Sequence, residues 1–247
     1  MSRVAVVTGG GSGLGEAIAQ HLARQGNKVA VLDIDRAAAE AVAAAIRAEG
    51  GEALSHTIDV ADRPSVDAAM AAVRRELGAV AILVTSAAVA GFTAFEDITL
   101  EEWTRILTIN LTGTFNCAQS AIPDMVAANW GRIVMISSHA GQMGTARQAH
   151  YSASKGGVIA LMKTLALEYA RKGITVNAIP PFAVVTPNLK RWEAEGKLPP
   201  LEKIEQMIPA GRLGTPDDIA ALCAFLCSDA AGYITAQLVS ANGGVAR

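Results

Sequence analysis

The sequence predicts an α/β fold, a doubly wound parallel sheet of about seven strands with helices on both faces. Three observations predict it. Short apolar runs such as Val4-Ala5-Val6-Val7 and Val80 to Val84 have the length and composition of strands buried on both faces. Segments with helical spacing lie between these runs, and alternating strands and helices build a parallel sheet. The 247 residues, 51% hydrophobic and 18% charged, supply a sizeable core and exclude disorder. No linker or repeat divides the chain, so residues 1–247 read as a single domain.

Residues 3–8 form the first expected strand, followed by a glycine-rich turn from Gly9 to Gly15. Glu16 to Gln25 places Ile18, Ala19 and Leu22 on one side of a helix that Gly26 stops. Lys28 to Leu32 is a second strand ending at Asp33, and Arg36 to Glu49 an alanine-rich helix closed by Gly50-Gly51. Ala53 to Ile58 is a strand, Pro64 to Leu77 a helix, and Val80 to Val84 a strand. Leu100 to Ala128 carries one or two helices, with a kink or break expected at Pro123. Arg132 to Ser137, His150 to Lys172 and Ile174 to Ala178 read as strand, long helix and strand. Residues 180–214 are irregular with one or two short helices, a natural substrate loop. Thr215-Pro216-Asp217-Asp218 is a helix start, with a cap, a proline at the first position and acids in the first turn. That helix runs to about Cys227, and a last strand is expected near Gln237 to Ser240.

Composition narrows the function. A net charge of −2 and 4% aromatics leave no basic footprint or stacking platform, so no nucleic-acid partner is expected. Cys117, Cys223 and Cys227 are an odd, scattered set that fits a reducing cytoplasm. Cys223 and Cys227 share a helix face, but two thiols with no completing motif read as core residues and not as a metal site. No secretory signal is visible at the start. Leu77 to Phe95 is almost uncharged, yet its glycines and hydroxyls suit a strand and loop better than a membrane span.

The turn Thr8-Gly9-Gly10-Gly11-Ser12-Gly13-Leu14-Gly15 sits between a strand and a helix. Glycines there let the backbone approach a pyrophosphate, and the helix N-terminus favours its charge. Asp33 ends the next strand, where a carboxylate accepts hydrogen bonds from ribose hydroxyls and repels a 2′-phosphate. The turn itself holds no Lys or Arg, and Arg36 follows Asp33, so NAD is favoured over NADP. Asp59-Val60 ends the third strand and is expected near the adenine, although Asp59 also reads as a helix cap.

Tyr151-Ser152-Ala153-Ser154-Lys155 places a phenol and an ammonium on one helix face. A free tyrosine titrates near pH 10, and a neighbouring ammonium lowers that value toward a useful range. The phenol then becomes a general acid or base. Alone, the pair is weak evidence, because surface Tyr and Lys residues meet this spacing by chance.

Taken together the motifs resemble the short-chain dehydrogenase/reductase family over essentially the whole chain. Thr8-Gly9 to Gly15 matches the family's glycine pattern, and Ser138 stands 13 residues before Tyr151, as the family's serine does. Tyr151-x-x-x-Lys155, Asn110, Asn177 and Gly243-Gly244 also match. The resemblance implies a Rossmann-like fold and hydride transfer between a nicotinamide coenzyme and a secondary alcohol or ketone. It makes Tyr151 the proton donor or acceptor, and Ser138 the partner of the reacting oxygen. Lys155 would bind the nicotinamide ribose and tune Tyr151, and Asn110 would hold a water in a proton relay. It counts Gly9, Ser12, Gly13, Leu14, Gly15, Asp33, Asp59, Val60, Ala87, Tyr151, Lys155, Pro181 and Val184 among the coenzyme-binding residues. It also implies a homotetramer in the cytoplasm, with no metal and no membrane. The substrate pocket is expected at His139, Met143, Phe182 and Trp192, with Phe92 and Leu189 making it apolar. His139 and His150 flank the catalytic positions as pocket-lining or surface residues; no Gly-x-Ser-x-Gly elbow surrounds Ser138, so a serine hydrolase is not indicated.

The chain departs from the family's pattern at several places. Thr85-Ser86-Ala87-Ala88 replaces Asn-Asn-Ala-Gly, Phe182 replaces the glycine after Pro181, Ala236 replaces a glycine, and Asn242 stands where Asp is usual. These changes predict a specialised or engineered pocket or a weakened coenzyme grip. A 3-oxoacyl-thioester reductase using NADP(H), and a nucleotide-binding protein without turnover, are the alternatives.

Overall fold

A computed structural model describes residues 2–245. The elements run β1 (Val4–Thr8), α1 (Gly13–Arg24), β2 (Lys28–Asp33), α2 (Arg36–Ala48), β3 (Ala53–Thr57), α3 (Arg63–Glu76) and β4 (Val80–Thr85). They continue with α4 (Leu100–Leu107), a π-helical turn (Thr108–Thr112), α5 (Gly113–Ala128), β5 (Gly131–Ile136), α6 (His139–Met143), α7 (Ala149–Tyr169) and β6 (Ile174–Ile179). The last helices are α8 (Pro187–Ala194), α9 (Leu201–Gln206) and α10 (Pro216–Leu226).

The strands pair in parallel in the order β3-β2-β1-β4-β5-β6, so the winding reverses between β1 and β4. Every residue of β1 is buried, which explains a continuous apolar run where a one-sided strand would alternate. Odd and even positions feed opposite faces. Val7 and Val31 pack with Leu22 of α1, Val42 of α2 and Ile219 of α10. Val6 and Leu32 pack with Met70 of α3, Met125 of α5 and Met162 of α7. Burying Leu22 completely contributes about 1.5–3 kcal/mol. Pro123 stays inside α5 without ending it. Cys117, Cys223 and Cys227 are buried and unbonded, and burial pushes the Cys117 thiol up to about 12, which makes it inert.

Among the described residues the sheet has six strands, not seven. The segment expected as the last strand meets β6 at one bridge, Ala178 to Leu238. Side chains take the places of further ladder bonds: Asn177 Oδ1 accepts the Gln237 N–H (3.1 Å) and Thr235 Oγ1 accepts that of Val176 (3.1 Å). Just before it, Ala236 holds φ at 59°, a left-handed conformation that resists strand geometry. An L-residue there costs about 1–2 kcal/mol, part of which glycine's greater chain entropy returns. Ala236→Gly should therefore stabilise the fold by about 0.5–1 kcal/mol and raise Tm by about 2–3 °C. Calorimetry showing an unchanged or lower Tm would contradict this.

The segment at residues 180–214 holds α8 and α9. Its two ends meet at a bridge between Val184 and Gly214, with the Val185 N–H donating to Gly214 O (2.9 Å). The short helix α6 is absent from the sequence-level reading; Ser138 starts it by accepting the Ala140 N–H through Oγ (3.1 Å). Among the described residues no helix is long and apolar enough to cross a membrane, and no cluster of three His, Cys, Asp or Glu side chains could hold a metal.

Candidate active site

A cavity of about 650 Å³ opens at the C-terminal ends of β1, β4, β5 and β6, at the point where the winding reverses. Ligands of doubly wound sheets bind at this position, because the diverging loops leave a crevice there. One end of the cavity is the turn after β1 and the other is the group formed by Ser138, Tyr151 and Lys155 at α7.

At the first end, Gly9, Ser12, Gly13 and Leu14 line the cavity. Gly9 has φ +65°, and a Cβ there would lie 2.7 Å from the Ala87 backbone. Gly15 does not reach the cavity wall. A Cβ on it would lie 2.0 Å from the Gly9 carbonyl oxygen, so its part is to let α1 start against β1. Ser12 caps α1 with extended backbone but makes no side-chain cap bond, leaving hydroxyl and helix terminus open to an anion. Asp33 also lines the wall. Its Oδ2 accepts the Gly11 N–H (2.9 Å) and its Oδ1 the Asp35 N–H (3.0 Å), so the carboxylate shapes the turn and keeps acceptor capacity on each oxygen. Arg36 is exposed and outside the wall. Asp59 and Val60 line the wall farther along. Asp59 Oδ1 accepts the Ala61 N–H (2.9 Å), while Asp62 is the cap of α3. An open glycine turn, a free helix terminus and a carboxylate at the next strand end fit the adenosine and pyrophosphate of a dinucleotide.

At the second end, Ser138 from the end of β5 and Tyr151 and Lys155 from α7 share the wall. Ser137 Oγ donates to Lys155 O (2.9 Å) and locks α7 to the strand that carries Ser138. Lys155 Nζ donates to Ile136 O (2.8 Å) and stands 6.0 Å from the centre of the Tyr151 ring. Burial pulls its ammonium down to about 8, so near neutrality it remains largely charged. The Tyr151 phenol is raised above its usual value by burial, and a hydrogen bond with Ser138 opposes that rise. The lowering by Lys155 expected from the sequence is not what dominates: its Nζ is turned to a carbonyl, and desolvation prevails. The phenol is thus held as the neutral acid.

Asn110 lies behind this group, fully buried in the π-helical turn. Its Oδ1 accepts the Val89 N–H (2.8 Å), and its Nδ2 donates to Val89 O (2.9 Å) and Ser154 Oγ (3.0 Å). Both amide hydrogens are spent, so the side chain fixes the loop after β4 and offers no donor to a water.

Between the two ends lie Ala87, Pro181, Phe182, Val184 and Trp192. The Phe182 ring meets His139 edge-on at 5.0 Å, and Trp192 meets Phe92 at 5.2 Å. His139 therefore supports Phe182 from outside the wall, and Met143 is largely exposed and away from it. Phe182, in place of glycine, does not take a left-handed backbone: among the described residues, the non-glycine residues with positive φ are Asn129, Arg147 and Ala236. Thr85 Oγ1, in the altered Thr85-Ser86 pair, is buried without a partner. His150 is not a surface residue but fully buried. The wall also includes Arg105, Ile109, Thr186, Asn188 and Arg191, which motif spacing did not reveal. For the α8 residues a signal existed: Thr186-Pro187 is the same cap-and-proline start as Thr215-Pro216, and Thr186 Oγ1 accepts the Leu189 N–H (3.2 Å).

The chain is similar to known proteins along nearly its whole length. A family model described as Enoyl-(Acyl carrier protein) reductase matches residues 9–246. D-threitol dehydrogenase of Mycolicibacterium smegmatis is 40% identical over 243 residues, covering 98% of this chain and 92% of that protein. Acetoacetyl-CoA reductase of Shinella zoogloeoides is 42% identical over 244 residues, covering 99% and 98%. The crystal structure of gox2181 superposes with a TM-score of 0.94 at 34% identity, over 99% of this chain and 95% of that one.

Proposed function

The chain belongs to the short-chain dehydrogenase/reductase family, and from that premise we propose that it interconverts a secondary alcohol and its ketone with NAD(H), Tyr151 moving the proton. The observation that carries the reading is the Ser138–Tyr151–Lys155 group in the wall of the same cavity as the open glycine turn. A bound nicotinamide supplies or accepts the hydride, and the protein supplies position and field. In reduction, the Tyr151 O–H gives its proton to the carbonyl oxygen. The Ser138 hydroxyl donates a hydrogen bond to that oxygen as its charge develops. The charged Lys155 stabilises the phenolate left on Tyr151 and has N–H groups free for ribose hydroxyls. Gly9, Ser12, Gly13 and Leu14 would hold the pyrophosphate, Asp33 the adenosine ribose, and Asp59 and Val60 the adenine. Phe182, Trp192, Leu189 and the aliphatic wall favour an apolar substrate flank.

An absorbance assay at the reduced-nicotinamide band tests this, with NADH and NADPH run in parallel against ketones, acyl thioesters and alcohols. Turnover with none of them, beside tight nucleotide binding, would leave a binding protein without catalysis. Arg105 and Arg191 in the wall favour a second reading, reduction of a 3-oxoacyl thioester whose carrier bears phosphate, the reaction class named for the acetoacetyl-CoA reductase relative.

The preference for NAD rests on the Asp33 charge. Asp33→Asn keeps an oxygen for the Gly11 N–H but removes the repulsion of a 2′-phosphate. The NADH to NADPH ratio of kcat/KM should then fall by about tenfold, roughly 1.4 kcal/mol. An unchanged ratio would place coenzyme choice elsewhere. A cytoplasmic homotetramer belongs to the same proposal; Phe115 on α5 and Leu167 on α7 expose apolar surface suited to subunit contact, which sedimentation velocity can read.

A further inference from the structure

Residues 86–94 have no regular structure, yet Ser86 to Ala90 form part of the cavity wall and Phe92 backs Trp192. Two polar links hold this loop, and both end on α7. The first is Asn110, which grips Val89 and donates to Ser154. The second is Glu102 of α4. Its Oε1 accepts from Thr93 Oγ1 (2.8 Å) and from His150 Nε2 (3.0 Å). A carboxylate only accepts, so Nε2 carries the hydrogen. These two bonds hold the Glu102 carboxyl below its ordinary range. His150 is fully buried, and its Nδ1 has no partner, so Glu102 is the ring's polar anchor. Gly91 lies against the imidazole: a Cβ there would stand 2.3 Å from Nε2 and 2.7 Å from Ile106 Cδ1.

The spacing fits. His150 and Ser154 are one turn apart on α7. Glu102 and Asn110 are eight residues apart on the run from α4 through the π-helical turn. An unbroken α-helix returns to one face after seven residues, and the wider turn absorbs the eighth. Both links therefore meet the same side of α7, directly beside Tyr151.

We infer that His150 is a positioning residue: through Glu102 and Thr93 it fixes the loop at residues 89–93, and with it Val89 and Ala90 in the cavity wall that Tyr151 shares. Its kinetic consequence rests on the dehydrogenase reading above; its effect on the loop does not. Thr93→Val cuts the link with a side chain of the same shape, and His150→Phe cuts it with a somewhat larger ring that has no N–H. His150→Gln retains an N–H for Glu102. Steady-state kinetics and amide hydrogen exchange on the full-length protein form the test. For Thr93→Val and His150→Phe the substrate KM should rise about tenfold, with kcat and coenzyme KM within about twofold. Exchange at residues 88–94 should quicken about tenfold while the sheet stays protected. His150→Gln should stay within about threefold of the parent in both measurements. The inference is overturned if substrate KM is unmoved, if loop exchange is unmoved, or if Gln behaves as Phe. If His150→Phe fails to fold, Thr93→Val decides alone. Should the parent protein turn over no alcohol or carbonyl, the dehydrogenase reading falls and the exchange measurement alone decides the inference.

Discussion

Tyr151→Phe is expected to lower kcat/KM by about 10²–10⁴-fold while coenzyme affinity stays within a few-fold. The substitution keeps the ring beside Lys155 and removes only the O–H that Ser138 bonds. Loss therefore falls on the proton transfer. Stopped-flow measurement of the hydride step beside a nucleotide titration separates the two quantities. Activity within tenfold of the parent would remove Tyr151 from the chemistry. The pH dependence carries the same logic with a definite sign. Burial raises the Tyr151 value, so the neutral acid needed for reduction persists through neutrality. The Lys155 ammonium that stabilises the resulting phenolate titrates at about 8. Reduction should thus decline as pH rises through that value, and Lys155→Met should lack the inflection.

Gly15→Ala is expected to weaken nucleotide binding by about 100-fold or more, roughly 2.7 kcal/mol. The added methyl would meet the Gly9 carbonyl at 2.0 Å and the Gly10 Cα at 3.0 Å. These are backbone atoms, so no rotamer relieves the clash and the turn itself must open. Opening it pulls Gly10 from its bond to Leu32 O (3.1 Å) and Gly11 from Asp33 (2.9 Å). The anion cradle and the ribose carboxylate are then disturbed together. A melting curve should show a cost of about 1–3 kcal/mol, as for other overpacked sites. Calorimetric affinity within threefold of the parent, in a folded variant, would contradict this account.

The parts of the molecule legible in its sequence are those set by local chemistry. Parallel strands buried on both faces leave unbroken apolar runs, so β1, β2 and β4 announce themselves. The glycine turn, Asp33 at a strand end, and Ser138 before Tyr151 are local spacings too, and the cavity joins all of them. That the expected seventh strand does not form is not legible, because the side chains of Asn177 and Thr235 take bonds a ladder would use. Arg105 and Ile109 reach the wall only through the packing of α4 and the π-helical turn against the sheet, which no motif encodes. The tyrosine's pKa shift also needed the third dimension. Sequence places an ammonium one turn away, but burial and the Ile136 carbonyl decide its effect. His150 illustrates the same limit, since nothing in its neighbours along the chain says that it faces Glu102.

The bridge between Val184 and Gly214 brings the two ends of the long loop together. The loop from α8 through α9 therefore lies outside the sheet and its hydrogen-bond ladder, closed at its ends by this bridge and held besides by Trp192 against Phe92 and by the Ala210 N–H on Gly243 O (3.0 Å). Such a module can be lengthened, shortened or exchanged at the modest entropic expense of loop closure, without retuning the six strands.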